Sequence, residues 1–280
     1  MRRTKPSGLV VSGQLSESTL LRLPALTEDL GPVAASSKRL ASRYANALRR
    51  GWATGDWGEL SAARIIFIQV PGPELDATVG ELLRTVRPWH RRIAVLLDEA
   101  LDCSSLAPLA AAGAFVASLT HAPMAATGVT LIEGDSQAVS GLRQLLRRSG
   151  VKSIYMRAGS KDSYNAGAML GASLAGAVAD MAMRAVRGAG IDPAAAKRIV
   201  SQAVEAALRQ ALAKGRSPWG NPRTASEKSL VLMQLQALEA ADRGSGVFLR
   251  ETMASAMHLY GQDTRWLRKP ATSATAGAAG

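Results

Sequence analysis

The chain has 280 residues, 47% of them hydrophobic, and carries 34 Lys and Arg against 22 Asp and Glu for a net charge of +12. That is enough for two domains of ordinary size, each with its own core, and the positive excess implies affinity for anions such as a phosphorylated cofactor, nucleic acid or an acidic surface. A single cysteine, Cys103, excludes an internal disulfide framework and any multi-thiolate metal site, and His90 and His258 have no neighbouring ligand types at metal spacing, so no metal is expected.

Taken in chain order, residues 1–7 have too little apolar surface to offset ordering entropy and are expected to be disordered. Leu9-Val10-Val11-Ser12 predicts a strand, Glu17 to Leu30 a helix weakened by Pro24, and Pro32-Val33-Ala34-Ala35 a second strand. Lys38 to Arg49 has helical spacing through Leu40, Tyr44 and Leu48. Arg64 to Val70 is a continuous apolar run closed by Pro71, the pattern of a strand buried on both faces in a parallel sheet. A helix over Glu74 to Val86, strands at Ile93–Leu97, Ala114–Leu119 and Val129–Ile132, a helix over Gln137–Arg148 and a strand at Ser153–Met156 continue the alternation. Strand and helix repeated at this spacing predict an α/β, Rossmann-like doubly wound sheet over residues 8–158.

Beyond Gly159 the pattern is helical only, which predicts an all-α domain over residues 159–262 and a disordered tail over 263–280. Ser163 to Arg187 reads as one long helix ended by Gly188-Ala189-Gly190, and Asp192-Pro193 opens another that runs to about Lys214. Two more follow, at Glu227–Ala241 and Val247–Tyr260. The uncharged stretch Ser163–Ala179 is rich in Ala, Gly and Ser, whereas a membrane span needs about 20 strongly apolar residues, so no membrane contact is expected. Its small residues, Ala166, Gly167, Gly171, Ala175 and Gly176, let another backbone approach and point to a central helix or a homodimer surface. The Arg2-Arg3 start is not followed by the apolar run of a signal peptide, and a cytoplasmic location is expected.

Several stretches together resemble a known bacterial group: Leu30-Gly31-Pro32-Val33 with Ser36-Ser37, the strand ending Val70-Pro71, Gly113-Ala114 leading to Ala117-Ser118-Leu119, Ile132-Glu133-Gly134-Asp135, and Lys161-Asp162-Ser163-Tyr164-Asn165-Ala166. That group joins a Rossmann-like, oxidoreductase-type domain to a helical domain of unknown function. It is similar in architecture to 3-hydroxyacid dehydrogenases, 6-phosphogluconate dehydrogenase and pyrroline-5-carboxylate reductase. The resemblance covers roughly residues 8–260 and implies a dinucleotide on the first domain, a small-molecule substrate in a cleft between domains, and dimerisation through the second.

A dinucleotide site needs a glycine-rich turn after the first strand, because pyrophosphate lies against backbone N–H groups at a helix N-terminus. Only Gly13 of Ser12-Gly13-Gln14-Leu15-Ser16-Glu17-Ser18 meets that register, so a Rossmann shape without a nucleotide stays open beside cofactor binding. At the end of the second strand no acid stands ready for a ribose hydroxyl. Ser36-Ser37-Lys38-Arg39 stands there instead, and hydroxyls beside cations suit the 2′-phosphate of NADP. Gly13, Ser37, Lys38 and Arg39 are thus the candidate cofactor residues. The other readings of these cations are a solvated helix face and a nucleic-acid face, the latter not favoured given the 4% aromatic content.

Lys161 and Asn165 share a helix face, and the dehydrogenase resemblance gives this Lys an acid/base role and this Asn an orienting one, with Tyr164 in place of a first Asn. A helix N-terminus would lower the lysine pKa; the alternative is an ordinary exposed Lys. His121 follows a strand where open α/β sheets place ligands, and is a candidate substrate contact or a polar loop residue. Arg216 and Arg223 could clamp a substrate anion, although Ala225-Ser226-Glu227 departs from an Arg-Gly-Asp-like stretch in the relatives. Two functions follow: an NADP-dependent dehydrogenase or reductase acting on a small anionic substrate, or a non-catalytic sensor or dimeric scaffold with a basic face.

Overall fold

A computed structural model describes residues 7–13, 20, 23–121, 129–148, 150–214, 224–259 and 261–268. The chain divides into two compact units, residues 1–169 and 170–280.

The first unit is organised by eight strands: β1 (Ser7–Val11), β2 (Leu30–Ala35), β3 (Trp52–Thr54), β4 (Ile65–Gln69), β5 (Ile93–Leu96), β6 (Phe115–His121), β7 (Thr130–Gly134) and β8 (Ser153–Tyr155). They form one sheet in the order β3-β2-β1-β4-β5-β6-β7-β8. Every neighbouring pair is parallel except β6 and β7, which are antiparallel. Helices α1 (Lys38–Leu48), α2 (Gly72–Thr85), α3 (Ala107–Ala111) and α4 (Ser136–Arg148) accompany it. The apolar runs are continuous because both sheet faces are covered. Leu9, Val11, Phe67, Val95 and Leu119 pack with Ala41, Tyr44, Leu142 and Leu146 of α1 and α4. Their alternates Val10, Ile66, Ile68, Ala94 and Leu96 pack with Leu75, Val79 and Leu82 of α2 and with Leu106 and Leu109.

Gly134 shows why one residue type is required at the β6–β7 crossing. Its φ is +134°, and a Cβ there would lie 2.3 Å from the Val116 carbonyl oxygen, a distance no side chain can occupy.

Near the N-terminus two expectations are corrected. The helix over Glu17–Leu30 does not reach its predicted end: Pro24–Thr27 is a short 3-10 turn and Leu30 already belongs to β2, since proline supports only the first turn of a helix. Residues 14–19, 21 and 22 lie outside the described residues. Ser7 is not part of a disordered start; it is buried, pairs in β1, and donates its hydroxyl to the Asp29 carbonyl at 3.0 Å. The strand β3 has no counterpart among the expected elements, three residues being too few to show a period.

The helix expected over Ser163–Arg187 begins at Lys161. It comprises α5 (Lys161–Met169), a π-helical turn at Leu170–Leu174 and α6 (Ala175–Gly188). The division between units falls after Met169 rather than at the expected residue 158, because the first turns of α5 are bonded to the sheet domain.

In the second unit α6 is followed by α7 (Pro193–Lys214), α8 (Ala225–Ala241) and α9 (Arg243–Leu259). Leu235, Met253, Met257 and Leu267 form a small core with Trp266 against it. Thr224 and Glu227 cap α8 reciprocally, each side chain bonded to the other residue's backbone N–H. The expected disordered tail starts too early at 263. Arg265–Arg268 is a 3-10 turn, Leu267 is fully buried, and Arg250 donates to the Leu267 carbonyl at 2.6 Å. The span Lys161–Gly188 is long and apolar enough to cross a membrane by length and composition alone, with a mean hydropathy of 1.4 and none of its apolar window buried.

Candidate functional site

The strand order reverses at β1, which lies between β2 and β4, and the crevice beyond the carboxyl ends at such a point is where open α/β sheets bind ligands. Val11 stands level with Ala35 of β2 and Gln69 of β4, so the residues that follow all three strands emerge side by side. Ser12 donates its N–H to the Gln69 carbonyl at 3.1 Å, and Tyr44, fully buried under α1, donates its phenol to the Ser12 carbonyl at 3.2 Å. These bonds fix the exit of β1. Gly13 follows, exposed and left-handed at φ +75°; a Cβ there would meet the Pro71 ring at 3.2 Å.

Beside it, Ser36, Ser37, Lys38 and Arg39 are all exposed where β2 passes into α1. Ser37 caps the helix by accepting from the Leu40 N–H at 3.2 Å, which leaves its own O–H available as a donor. Trp57 donates its indole N–H to the Ala35 carbonyl at 3.2 Å and supports the same corner from β3's side. The corner therefore presents an open left-handed turn, a hydroxyl, two cations and no carboxylate between Ser36 and Arg39. Such a set fits a phosphate monoester and lacks the acid that would hold an unphosphorylated ribose.

Lys161 is not the ordinary exposed lysine of the alternative reading. It does not project outward from the helix start: its side chain is 1% exposed, and Nζ donates to the carbonyl oxygens of Asp98 at 2.8 Å and Leu101 at 2.6 Å. Burial pushes its pKa down, opposed by the negative charges of Glu133, Asp98 and Asp102 and by Cys103. Asn165, one turn on, donates to the Glu99 carbonyl at 3.0 Å, so both residues hold the loop that follows β5.

Glu133 completes this corner and was not singled out as a site residue from the sequence. Fully buried in β7, it accepts from the Cys103 N–H at 2.9 Å, the Ser118 hydroxyl at 3.0 Å and the Gly159 N–H at 3.0 Å. The signal that could have found it was a lone carboxylate inside the apolar run Thr130–Glu133, a place where charge survives only when bonded. Next to it the Cys103 thiol is pushed up to about 11 by burial and then by Glu133, Asp102 and Asp135. That thiol is no nucleophile at neutral pH.

His121 ends β6 opposite Thr130 of β7, and both the His121 Nδ1 and the Thr130 Oγ1 are buried with no hydrogen-bond partner among the described residues. Arg216 and Arg223, with the loop that carries them, lie outside the described residues.

Residues 129–219 match a family described as a domain of unknown function, DUF2520. No curated protein matches the chain. Solved structures do. An imine reductase from Aspergillus terreus, in complex with NADPH4 and dibenz[c,e]azepine, is 17% identical with a TM-score of 0.62, over 94% of this chain and 98% of that one. An imine reductase variant from Myxococcus stipitatus, in complex with NAD+, is 14% identical with a TM-score of 0.65, over 94% and 97%. A pyrroline-5-carboxylate reductase from Coxiella burnetii is 12% identical with a TM-score of 0.52, over 95% and 100%. At these identities the likeness establishes the fold: a Rossmann-like sheet domain followed by a C-terminal helical domain, the architecture those reductases share.

Proposed function

We propose that this chain is an NADP-dependent oxidoreductase acting on a small, anionic substrate. The observation that carries the reading is the corner at the strand-order reversal, where Gly13 turns left-handed beside Ser37, Lys38 and Arg39 with no carboxylate between Ser36 and Arg39. Gly13 would let the dinucleotide approach the backbone, the Ser37 hydroxyl would donate to the 2′-phosphate, and Lys38 and Arg39 would neutralise it. The nicotinamide, when bound, supplies the hydride. The reductase likeness supports the reading, since the Aspergillus relative was solved with an NADPH-type cofactor.

In this reading Lys161 and Asn165 are positioning residues. They fix the loop Asp98–Leu101 at the carboxyl end of β5, where substrate and cofactor would meet. His121 would offer its Nδ1, which has no partner among the described residues, to a polar group of the substrate. Arg216 and Arg223 remain proposed anion contacts.

Dimerisation belongs to the same proposal. Val204, Leu208 and Leu212 recur four apart on α7 and are 39%, 57% and 78% exposed, an apolar stripe that water would not leave uncovered in a stable monomer. The exposed, small-residue helix Lys161–Gly188 is read as part of that surface rather than as a span, its first turn being tied to the sheet by Lys161. Light scattering on the Leu208→Asp/Leu212→Asp variant should give a monomer; an unchanged mass would remove the stripe from the interface.

The deciding experiment is thermal unfolding with each of NADP, NADPH, NAD and NADH. A ligand at about a hundred times its dissociation constant stabilises by about 2.7 kcal/mol, and in a domain of this size each kcal/mol moves the midpoint by about 2–4 °C. A rise with the phosphorylated pair alone is expected. No rise with any of the four would favour the second reading, a non-catalytic scaffold, which the single glycine of the Ser12–Ser18 turn supports.

A further inference from the structure

A second charged surface lies on the opposite border of the sheet, away from the cofactor corner. From Ser136 to Ser160 the chain has five cations, Arg143, Arg147, Arg148, Lys152 and Arg157, and no Asp or Glu. All five are exposed, and none forms an ion pair among the described residues. They surround β8, which ends the sheet and, among the described residues, pairs on one side only.

Two adjoining cavities run between α4 and β8. One, of about 590 Å³, is bounded by Val139, Ser140, Arg143, Gln144, Arg147 and Tyr155; the other, of about 300 Å³, shares Arg143 and Arg147 and continues to Val151 and Ser153. Arg143 and Arg147 are one helical turn apart and stand over both. The Tyr155 ring, 53% exposed, forms the outer wall.

The backbone of β8 completes the groove. The Lys152 carbonyl accepts from Thr130 N–H and the Met156 N–H donates to the Ile132 carbonyl, each at 2.9 Å, so even-numbered residues face β7. By alternation the N–H and C=O groups of Ser153 and Tyr155 face outward. Outward N–H and C=O groups of this kind are a template for another strand, and the cations around them select one of opposite charge.

We propose that this groove receives an extended acidic peptide segment of a partner protein, which adds to β8 as a further strand and places alternate carboxylates on Arg143 and Arg147. Charge complementarity selects the occupant. A second copy of this chain would bring the same five cations against themselves, and a nucleic-acid strand would satisfy the arginines while leaving the outward amides of Ser153 and Tyr155 unused. The inference stands apart from the cofactor reading, which concerns the other side of the sheet.

The test is fluorescence anisotropy of the full chain with a labelled octapeptide alternating glutamate and valine, at low and at physiological salt. Binding that weakens with salt is expected, together with at least a tenfold loss for Arg143→Glu/Arg147→Glu. The same peptide with alternate backbone nitrogens methylated should also lose at least tenfold, a readout that needs no protein variant. Tyr155→Pro, which removes an outward N–H without touching the β7 ladder, should behave likewise while the melting midpoint holds. The proposal is overturned if the octapeptide does not bind, if methylation leaves affinity unchanged so that charge alone holds it, or if a single-stranded oligonucleotide of equal charge binds more tightly at matched salt.

Discussion

Two corners of the first unit each carry a cation at an element boundary, and they have opposite fates. At the end of β2, Lys38 and Arg39 are exposed and face water. At the start of α5, Lys161 is sealed, its ammonium held by two main-chain carbonyls within a pocket that also contains the buried Glu133 carboxylate. A cation is available to a ligand in the first case and committed to the fold in the second. Burial and partners, not residue type, separate a binding group from a fastening one.

Breaking the sealed corner should have the largest effect. Glu133→Ala leaves the Cys103 and Gly159 N–H groups and the Ser118 hydroxyl without their acceptor, and urea unfolding should show a loss of about 3–5 kcal/mol. A loss under 1 kcal/mol would mean that the pocket is wet and the corner not sealed. The open corner should respond oppositely: Lys38→Glu/Arg39→Glu should leave unfolding in the absence of ligand within about 0.5 kcal/mol of the parent, yet abolish the rise in melting midpoint caused by NADP. Retention of that rise would take these cations out of the cofactor site.

Lys161→Met tests the boundary between the two roles. Leaving the Asp98 and Leu101 carbonyls unpaired should cost about 1–3 kcal/mol of stability. A variant that melts like the parent but loses turnover on an identified substrate would restore the acid/base role expected from the sequence. Gly13→Ala should cost about 1 kcal/mol, the strain of a left-handed alanine with its Cβ on Pro71.

A pH dependence is expected inside the sealed corner as well. The Cys103 thiol titrates at about 11 when folded against an ordinary 9.0, so the native state retains a proton that the unfolded chain releases. Stability from this group is full below pH 9 and falls as pH rises toward 11. Lys161, shifted down, works the other way, its penalty being relieved as pH rises toward 10.5. The Cys103→Ala variant should therefore lose the alkaline fall and keep the rise, which urea titrations between pH 8 and 11 would resolve.

Much of the architecture was legible because it rests on local pattern. The run Arg64–Val70 has the pattern of a strand buried on both sides, and the spacing Leu40, Tyr44 and Leu48 sets the face of α1. Elements without a period were not legible: Trp52–Thr54 became a strand by pairing with β2, and Leu267 became buried by packing on Met253 and Met257.

The sequence by itself determined an alternating α/β half, a helical half, and a basic turn without an acid at the end of the second strand, since periodicity and residue charge are properties of neighbours in the chain. Only the tertiary structure decided which charges stay in water. Lys161 meets carbonyls sixty or more residues earlier, Glu133 joins three separate segments, and Arg143 and Arg147 share a groove with β8. The contacts of Lys161 and Glu133 are set when the sheet closes on its helices, and no short window along the chain contains both partners.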